Sequence, residues 1–298
     1  MGGGVLSENR ADLLTVAKVP MGYDEESPRT AFNRVGEEIE AKLEGNPIIA
    51  WMRATNRREL AAAFRTGSAL LEIGCGSGAD AVFFAESGCR VAALDISDRM
   101  VTATRNRAEA HGVGSSVCAF RGRLIDLSRQ LSELPWAPFD GAYANFSLTY
   151  EESLRSVSAI VHSLLRPRAS FWFTLPNRFC ITEPALAVLR GRPRAIFARF
   201  REPRWLMIRD TRVQVHAYSA AEVRRALAGR FEILDHRGLP VFMPPSRLYD
   251  PTLEHVRKDL ERLDDRFDRS FPWRELGDTT LYHARGLVAH DPTSVGRP

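Results

Sequence analysis

Apolar positions along the chain follow two rhythms. "RTAFNRVGEEIEAKLEGNP" (29–47) sets Phe32, Val35, Ile39 and Leu43 at helical spacing and stops at Gly45-Asn46-Pro47. "PIIAWMRATNRRELAAAF" predicts a second helix, with Pro47 at a favourable first-turn position. From Ala69 the rhythm changes to short, unalternating apolar runs separated by helical stretches. Strands are predicted at Ala69–Ile73, Arg90–Leu94, Val117–Phe120, within "FDGAYANFSL" (139–148) and at Ser170–Leu175. Helices are predicted at Ala79–Ser87, Met100–Ala110 and Leu154–Leu165. Buried strands alternating with helices imply a parallel, doubly wound α/β sheet.

After Leu175 the alternation breaks. Residues 176–215 read as helical in parts and interrupted by prolines. It resumes with "SAAEVRRALAG", a helix with Ser219 as N-cap, and "RFEILDHRGL", a strand. A second irregular segment, about 240–278, holds the amphipathic "LEHVRKDLERLDDRF", and "TTLYHARGLVAH" closes the chain as a strand. The expected organisation is a disordered tail (1–28), a helical lid (29–68) and one α/β domain (69–298). The two irregular segments are then insertions capping the strand ends where ligands bind.

Composition narrows this only modestly. The chain has 298 residues and a net charge of +4, with 44% apolar and 26% charged residues. That suits one large α/β domain and carries less charge than most nucleic-acid binders concentrate. Cys75, Cys89, Cys118 and Cys180 are scattered and form no metal-ligand spacing, so no metal site is expected. No apolar run approaches the roughly 18 residues of a membrane span, and the start lacks a secretory pattern. The expectation is a soluble, cytoplasmic protein without a membrane partner.

The chemistry concentrates in "ALLEIGCGSGADAVFFAESGCRVAALDIS" (69–97). Gly74, Gly76 and Gly78 follow an apolar run, so the strand turns tightly into a helix and a ligand can lie against bare backbone. No Lys-Ser/Thr follows, which excludes a P-loop, whereas spacing alone does not exclude NAD. Charge discriminates further. Glu72 would repel a pyrophosphate but attract an ammonium or sulfonium, and Asp95, ending the second strand, can accept both hydroxyls of a ribose.

These residues resemble the class I S-adenosylmethionine-dependent methyltransferases, small-molecule type. "LLEIGCGSG" resembles the first motif, "VAALDIS" the second and "FDGAYANFSL" the fourth-strand motif. The resemblance extends over roughly 30–290 and includes an "F…NP" approach (Phe32, Asn46, Pro47), the "LRGRPR" insertion and a late "LGD". It implies a seven-stranded Rossmann-like sheet with the last strand antiparallel, and S-adenosylmethionine as cofactor with S-adenosylhomocysteine as product. It further implies that Glu72, Gly74, Gly76 and Gly78 line the methionine part. Asp95 would hold the ribose, Ile96 and Met100 the adenine face, and Leu124 the adenine edge. Asn145 and Phe146 would lie under the sulfonium, and Arg53 would reach the methionine carboxylate. Three positions depart from the family pattern: Arg123 where an acid is common, Ile39-Glu40 in place of Tyr-Asp, and "RPRA" (166–169) before the fifth strand.

Catalytic residues are harder to read. Methyl transfer is an in-line displacement that positioning can drive, and a hydroxyl or ammonium nucleophile would add a need for a base. Tyr150 and His216 are the candidates, and Tyr150, Asn177, His216 and Tyr218 the expected pocket walls. His162, His283 and His290 are read as structural. Eight arginines between Arg190 and Arg212 face only Glu202 and Asp210, with Phe197, Phe200 and Trp205 interleaved. They suit an anionic or carrier-bound acceptor, or else form a solvated face. The reading is methyl transfer to a small organic acceptor, with oligomeric state unassigned. A non-methylating enzyme or binding protein on the same fold is the alternative, and an RNA methyltransferase the weaker one.

Overall fold

The computed structural model of this chain describes residues 14–16, 26–35, 45–151, 153–189, 191, 199, 204–208 and 210–288. Ile39, Glu40 and Leu43, most of the expected tail, His290, Phe197, Phe200 and the arginines Arg190, Arg192, Arg194, Arg201 and Arg209 lie outside them.

The chain opens with β1 (Leu14–Val16), α1 (Glu26–Val35) and α2 (Pro47–Ala63). The alternating region follows as β2 (Ala69–Ile73), α3 (Ala79–Glu86), β3 (Arg90–Asp95), α4 (Asp98–Ala110), β4 (Val117–Arg121) and α5 (Leu124–Ser132). It continues through β5 (Phe139–Ala144), α6 (Leu154–Leu164) and β6 (Leu165–Pro176). The last third holds α7 (Thr182–Leu189), β7 (Arg204–Ile208), β8 (Thr211–Val215), α8 (Ala220–Leu227), β9 (Phe231–Leu239), α9 (Glu254–Phe267) and β10 (Thr279–Gly286).

Seven strands form one sheet in the order β4-β3-β2-β5-β6-β10-β9. β4, β3, β2, β5 and β6 run parallel, and β10 inserts antiparallel between β6 and β9. Chain order therefore reverses between β2 and β5, which opens a crevice beyond their carboxyl ends. Both sheet faces are covered: Leu71 and Ile73 enter one apolar cluster with Phe171 and Phe173, and Leu70 enters the other with Tyr143 and Trp172. Helices flank β2 to β6 in sequence, and with no polar face to show to water these strands lose the alternation of a half-exposed sheet.

Several elements differ from the expectation. Residues 124–132 form a helix, α5, that the apolar pattern left unassigned, because only Leu124 and Leu131, two turns apart, are fully buried. β6 begins at Leu165 rather than Ser170. The "RPRA" segment stays extended through Arg168, whose φ of 62° and the register shift between Phe139 and Gly141 mark an irregularity. Residues 204–215 are not helical. They form the β7–β8 pair, to which β1 adds as a third strand. Their Trp, Ile, Thr and Val content suits strands once an opposite strand is available. β1 also places an ordered strand inside the expected tail, and α1 begins at Glu26 rather than Arg29.

The joints between elements are polar. Asn46 caps α2 by accepting N–H bonds from Ile48 and Ile49 at 3.0 and 3.3 Å, and its Nδ2 donates to the Ser246 carbonyl at 3.0 Å. Ser219 caps α8 in a reciprocal pair with Glu222. Asp264 of α9 is fully buried and accepts the backbone N–H groups of Val241, Phe242 and Met243 at 2.6, 2.9 and 3.0 Å. Among the described residues, no helix is long and apolar enough to cross a membrane.

Asp264→Ala strands those buried donors. Urea unfolding should show a loss of about 3 kcal/mol or more; a loss below about 1 kcal/mol would contradict this role.

Candidate functional site

A cavity of about 390 Å³ opens at the carboxyl ends of β2, β3 and β5, and residues of α1, α2, β7 and β8 close over it. Its floor is the glycine turn. After Ile73 the chain turns with φ of +74° at Gly74, +55° at Gly76 and +79° at Gly78. Each is a left-handed conformation that costs an L side chain roughly 1–2 kcal/mol. Space is equally restrictive: a Cβ on Gly74 would lie 2.2 Å from Ser147 Cβ, and one on Gly78 2.8 Å from Thr104 Cα. The turn is bonded to β3, since Gly74 N and Cys75 N both donate to Leu94 O, at 2.8 and 3.0 Å.

Asp95 completes that bonding. Its Oδ2 accepts Gly76 N–H at 3.0 Å and its Oδ1 accepts Ser97 N–H at 2.9 Å. Each carboxylate oxygen keeps a lone pair that can face the cavity. Burial pushes the Asp95 carboxyl up to about 6, against the pull of the Ser97 and Gly76 amides. Glu72 is 2% exposed, and its Oε2 has no hydrogen-bond partner. Burial, with Asp80 adding repulsion, raises its carboxyl well above the usual range. A buried acid with an orphaned oxygen is the electrostatic complement of an incoming cation.

The end of β5 forms the opposite wall. Asn145 donates to Asp80 Oδ2 at 2.9 Å and accepts from Asn56 of α2 at 3.2 Å, so its amide is fixed from both sides. Arg57 Nε bonds Asp80 Oδ1 at 2.6 Å. Phe146 has a φ of 59°, a strained conformation for an aromatic residue, and its N–H is held by Thr174 Oγ1 at 2.6 Å. Tyr150 packs edge-on against Phe32 at 5.2 Å, and burial pushes its phenol up to about 12. The group therefore keeps its proton near neutrality and can donate a hydrogen bond rather than act as a base.

The structure brings together most residues singled out from the sequence. Arg53, Glu72, Gly74, Gly76, Asp95, Ile96, Met100, Leu124, Asn145, Phe146 and Tyr150 all line the cavity. Gly78 does not; it serves as N-cap of α3, packed on Thr104. Asn177, His216 and Tyr218 are also outside the lining. Asn177 donates to the Glu275 carbonyl at 2.6 Å and bridges to Tyr218. His216 exchanges hydrogen bonds with Thr149, its backbone N–H to Thr149 O and its carbonyl from Thr149 Oγ1. The Asn177 amide and the His216 and Tyr218 backbones join the returning insertion to β6, and the His216 ring meets Gln214 Nε2 at 3.5 Å. Among the described residues no histidine lines the cavity.

Of the arginine run 190–212, Arg199 and Arg204 also line the cavity, and sequence reading missed Asp80, Glu151 and Arg247, which do so too. Asp80 was legible, two residues past the last glycine and therefore on the first turn of α3. Burial raises the Glu151 carboxyl, with Arg123 opposing. Arg247 arrives from far along the chain, and nothing in its local sequence marks it.

Residues 70–168 match the family described as "Methyltransferase domain". The chain is 32% identical over 109 residues to an S-adenosyl-L-methionine-dependent Diels-Alderase of Talaromyces variabilis, covering 37% of this chain and 36% of that protein. It is 29% identical over 106 residues to a malonyl-[acyl-carrier protein] O-methyltransferase of Enterobacter lignolyticus, covering 35% of this chain and 38% of that protein. The matches thus span little more than a third of these relatives. In structure it is similar to the 1,6-didemethyltoxoflavin-N1-methyltransferase of Burkholderia thailandensis, solved with its substrate and S-adenosylhomocysteine. That match has a TM-score of 0.55 and 17% identity, over 92% of this chain and 95% of the other, and shows the fold.

Gly74→Ala should lower stability by about 2 kcal/mol or more, from the left-handed backbone and the collision with Ser147 together. Equilibrium unfolding checks this, and an unchanged midpoint would mean the turn is looser than drawn. Residues 70–168 thus match a methyltransferase-domain family, and the sheet order and glycine turn around them belong to the fold of the methyltransferase structures this chain is similar to.

Proposed function

We propose that the protein transfers a methyl group from S-adenosylmethionine to a small organic acceptor, of the kind handled in specialised metabolism. The single observation that carries this is the buried Glu72 carboxyl beside the glycine turn, whose Oε2 has no hydrogen-bond partner, with Asp95 one strand away. A ribose needs an acceptor pair such as Asp95, and an amino-acid ammonium needs an anion such as Glu72. A dinucleotide's ribose could use Asp95 equally, so Glu72, which would repel a pyrophosphate, is the residue that separates the two. Bound S-adenosylmethionine supplies an electrophilic methyl on a sulfonium.

The chain's own residues then divide the work. Glu72 takes the ammonium, and gives up its proton as that charge arrives. Asp95 takes the ribose hydroxyls, while Ile96, Met100 and Leu124 enclose the adenine. Arg53 reaches the methionine carboxylate. Asn145, its side chain fixed by Asp80 and Asn56, lies under the sulfonium with Phe146. α1 and α2 act as a lid, and 176–215 and 240–278 as a cap that excludes water. Positioning and desolvation drive the reaction, with Tyr150 orienting the acceptor by donation.

A second reading is a non-methylating reaction steered by the bound cofactor. It is supported by the absence of a histidine base among the described cavity residues and by the likeness to a Diels-Alderase. Formation of S-adenosylhomocysteine in the presence of acceptor separates the two, since only methyl transfer consumes the cofactor.

Calorimetric titration should show micromolar binding of S-adenosylhomocysteine and none of NAD; binding of NAD alone would overturn the assignment. Asp95→Ala should weaken S-adenosylhomocysteine by roughly tenfold or more, through loss of two charge-assisted bonds.

The same affinity should depend on pH. Asp95 binds hydroxyls as the carboxylate, and its value of about 6 lies above the ordinary 3.8. Protonation on the acid side therefore competes with the ligand. Affinity falls, by up to about tenfold per pH unit, as pH drops below about 6 where Asp95 gains its proton, and the proton that Glu72 releases on binding acts in the same direction. A flat profile from neutrality to pH 5 would remove Asp95 from the ribose site.

A further inference from the structure

The strand β7 contributes a built feature to the cavity. Alternate residues of a strand share one face, and Arg204, Leu206 and Ile208 all line the cavity. Across the ladder Arg204 is opposite Val215 of β8, another lining residue. One wall is therefore an apolar strip with a single guanidinium at one end.

That guanidinium lacks a counter-charge. Arg204 is 9% exposed, its buried Nε has no hydrogen-bond partner, and among the described residues it forms no ion pair. The nearby acids are already taken. Arg199 is held by Glu183 and Asp278 and also donates to the carbonyls of Asn177 and Asp278 at 2.6 and 3.0 Å. Arg247 bonds Glu183 at 2.6 Å and approaches Asp278 at 3.6 Å. Burial raises Glu183, but Arg247 and Arg199 outweigh it and hold that carboxyl down to about 2. Cys180, Glu183 and Asp278 have ligand atoms within 4.8 Å of one another, and both carboxylates are paired with these guanidinium groups. The cluster has three cations and two anions, and burial together with repulsion from Arg199 and Arg247 lowers Arg204 from its usual value. An unpaired buried charge costs several kcal/mol, approximately what an anionic ligand would offset.

We propose that Arg204 is the acceptor-binding residue of the cavity and that the acceptor is a small molecule with an apolar body and a carboxylate. A guanidinium fork matches a planar carboxylate bidentately, and Leu206, Ile208, Val215 and Phe32 suit the apolar body better than a polyanion. The proposal rests on the methyl-transfer reading above, and its test is arranged to fail separately.

Protein saturated with S-adenosylhomocysteine is titrated with matched probes: benzoate against benzamide, phenylacetate against phenylacetamide, octanoate against octanamide. At least one acid binds saturably, and its amide is weaker by roughly tenfold or more. Arg204→Met abolishes that preference, Arg204→Lys keeps part of it, and neither changes the affinity for S-adenosylhomocysteine. Acid and amide binding alike, no acid saturating at millimolar concentration, or a preference surviving in Arg204→Met each overturn the proposal. Loss of S-adenosylhomocysteine affinity in Arg204→Met also overturns it, because the arginine would then serve the cofactor's own carboxylate. If Arg204→Met does not fold, the wild-type comparison and Arg204→Lys decide. If wild-type protein binds no S-adenosylhomocysteine, the methyl-transfer reading fails by itself, and the acid–amide comparison is run on the protein alone.

Discussion

The hydrogen bond from Gly76 N–H to Asp95 Oδ2 is the joint on which the site depends. It ties the turn after β2 to the end of β3, while Leu94 O receives the two preceding amides of the same turn. Those bonds form only if the backbone turns left-handed at Gly74 and Gly76, and that in turn sets where α3 begins. A carboxylate at the end of β3 thus does two jobs. It closes the turn with its inner lone pairs and faces the cavity with the others. The cost appears as a pKa near 6, and neighbouring N–H groups keep it from rising further.

A second set of contacts connects this floor to helices that precede the sheet in the chain. Asn145 at the end of β5 is held between Asp80 of α3 and Asn56 of α2, and Arg57 of α2 neutralises Asp80. Asn46 caps α2 and also grips the Ser246 carbonyl, so helix and late loop are anchored together. α2 and the late loop are therefore fastened to the carboxyl end of the sheet by buried polar bonds, whose alternative is unsatisfied donors. Phe146 shows the strain this arrangement tolerates, with its left-handed backbone stabilised by one threonine hydroxyl.

The cavity is electrically polarised as a result. Glu72, Asp80 and Asp95 come from the parallel sheet and its first helix, and Arg199, Arg204 and Arg247 from the insertions. One end suits a cation and the other an anion, with Phe32, Phe146, Leu206, Ile208 and Val215 among the apolar residues of the wall. A low-dielectric space between fixed opposite charges orients a polar ligand before it reaches bonding distance.

Local sequence by itself determined the parallel sheet, the glycine turn and the acids beside it, because strand burial, left-handed glycines and Asp95 lie within one short stretch and obey local rules. Pro47 and Ser219 were legible for the same reason: a helix start is a contact over two or three residues. The tertiary structure decided what depends on distant partners. β7 and β8 became strands because each supplies the other's hydrogen bonds, and Leu124 and Leu131 became a helix face because β4 and β5 needed covering. It also set Asn177, whose amide donates to the Glu275 carbonyl, and His216, whose backbone bonds Thr149, outside the cavity lining, and left Arg204 inside it with no ion pair among the described residues. Whether a buried charge is paired depends on which residues the fold gathers around it, and no local pattern records that.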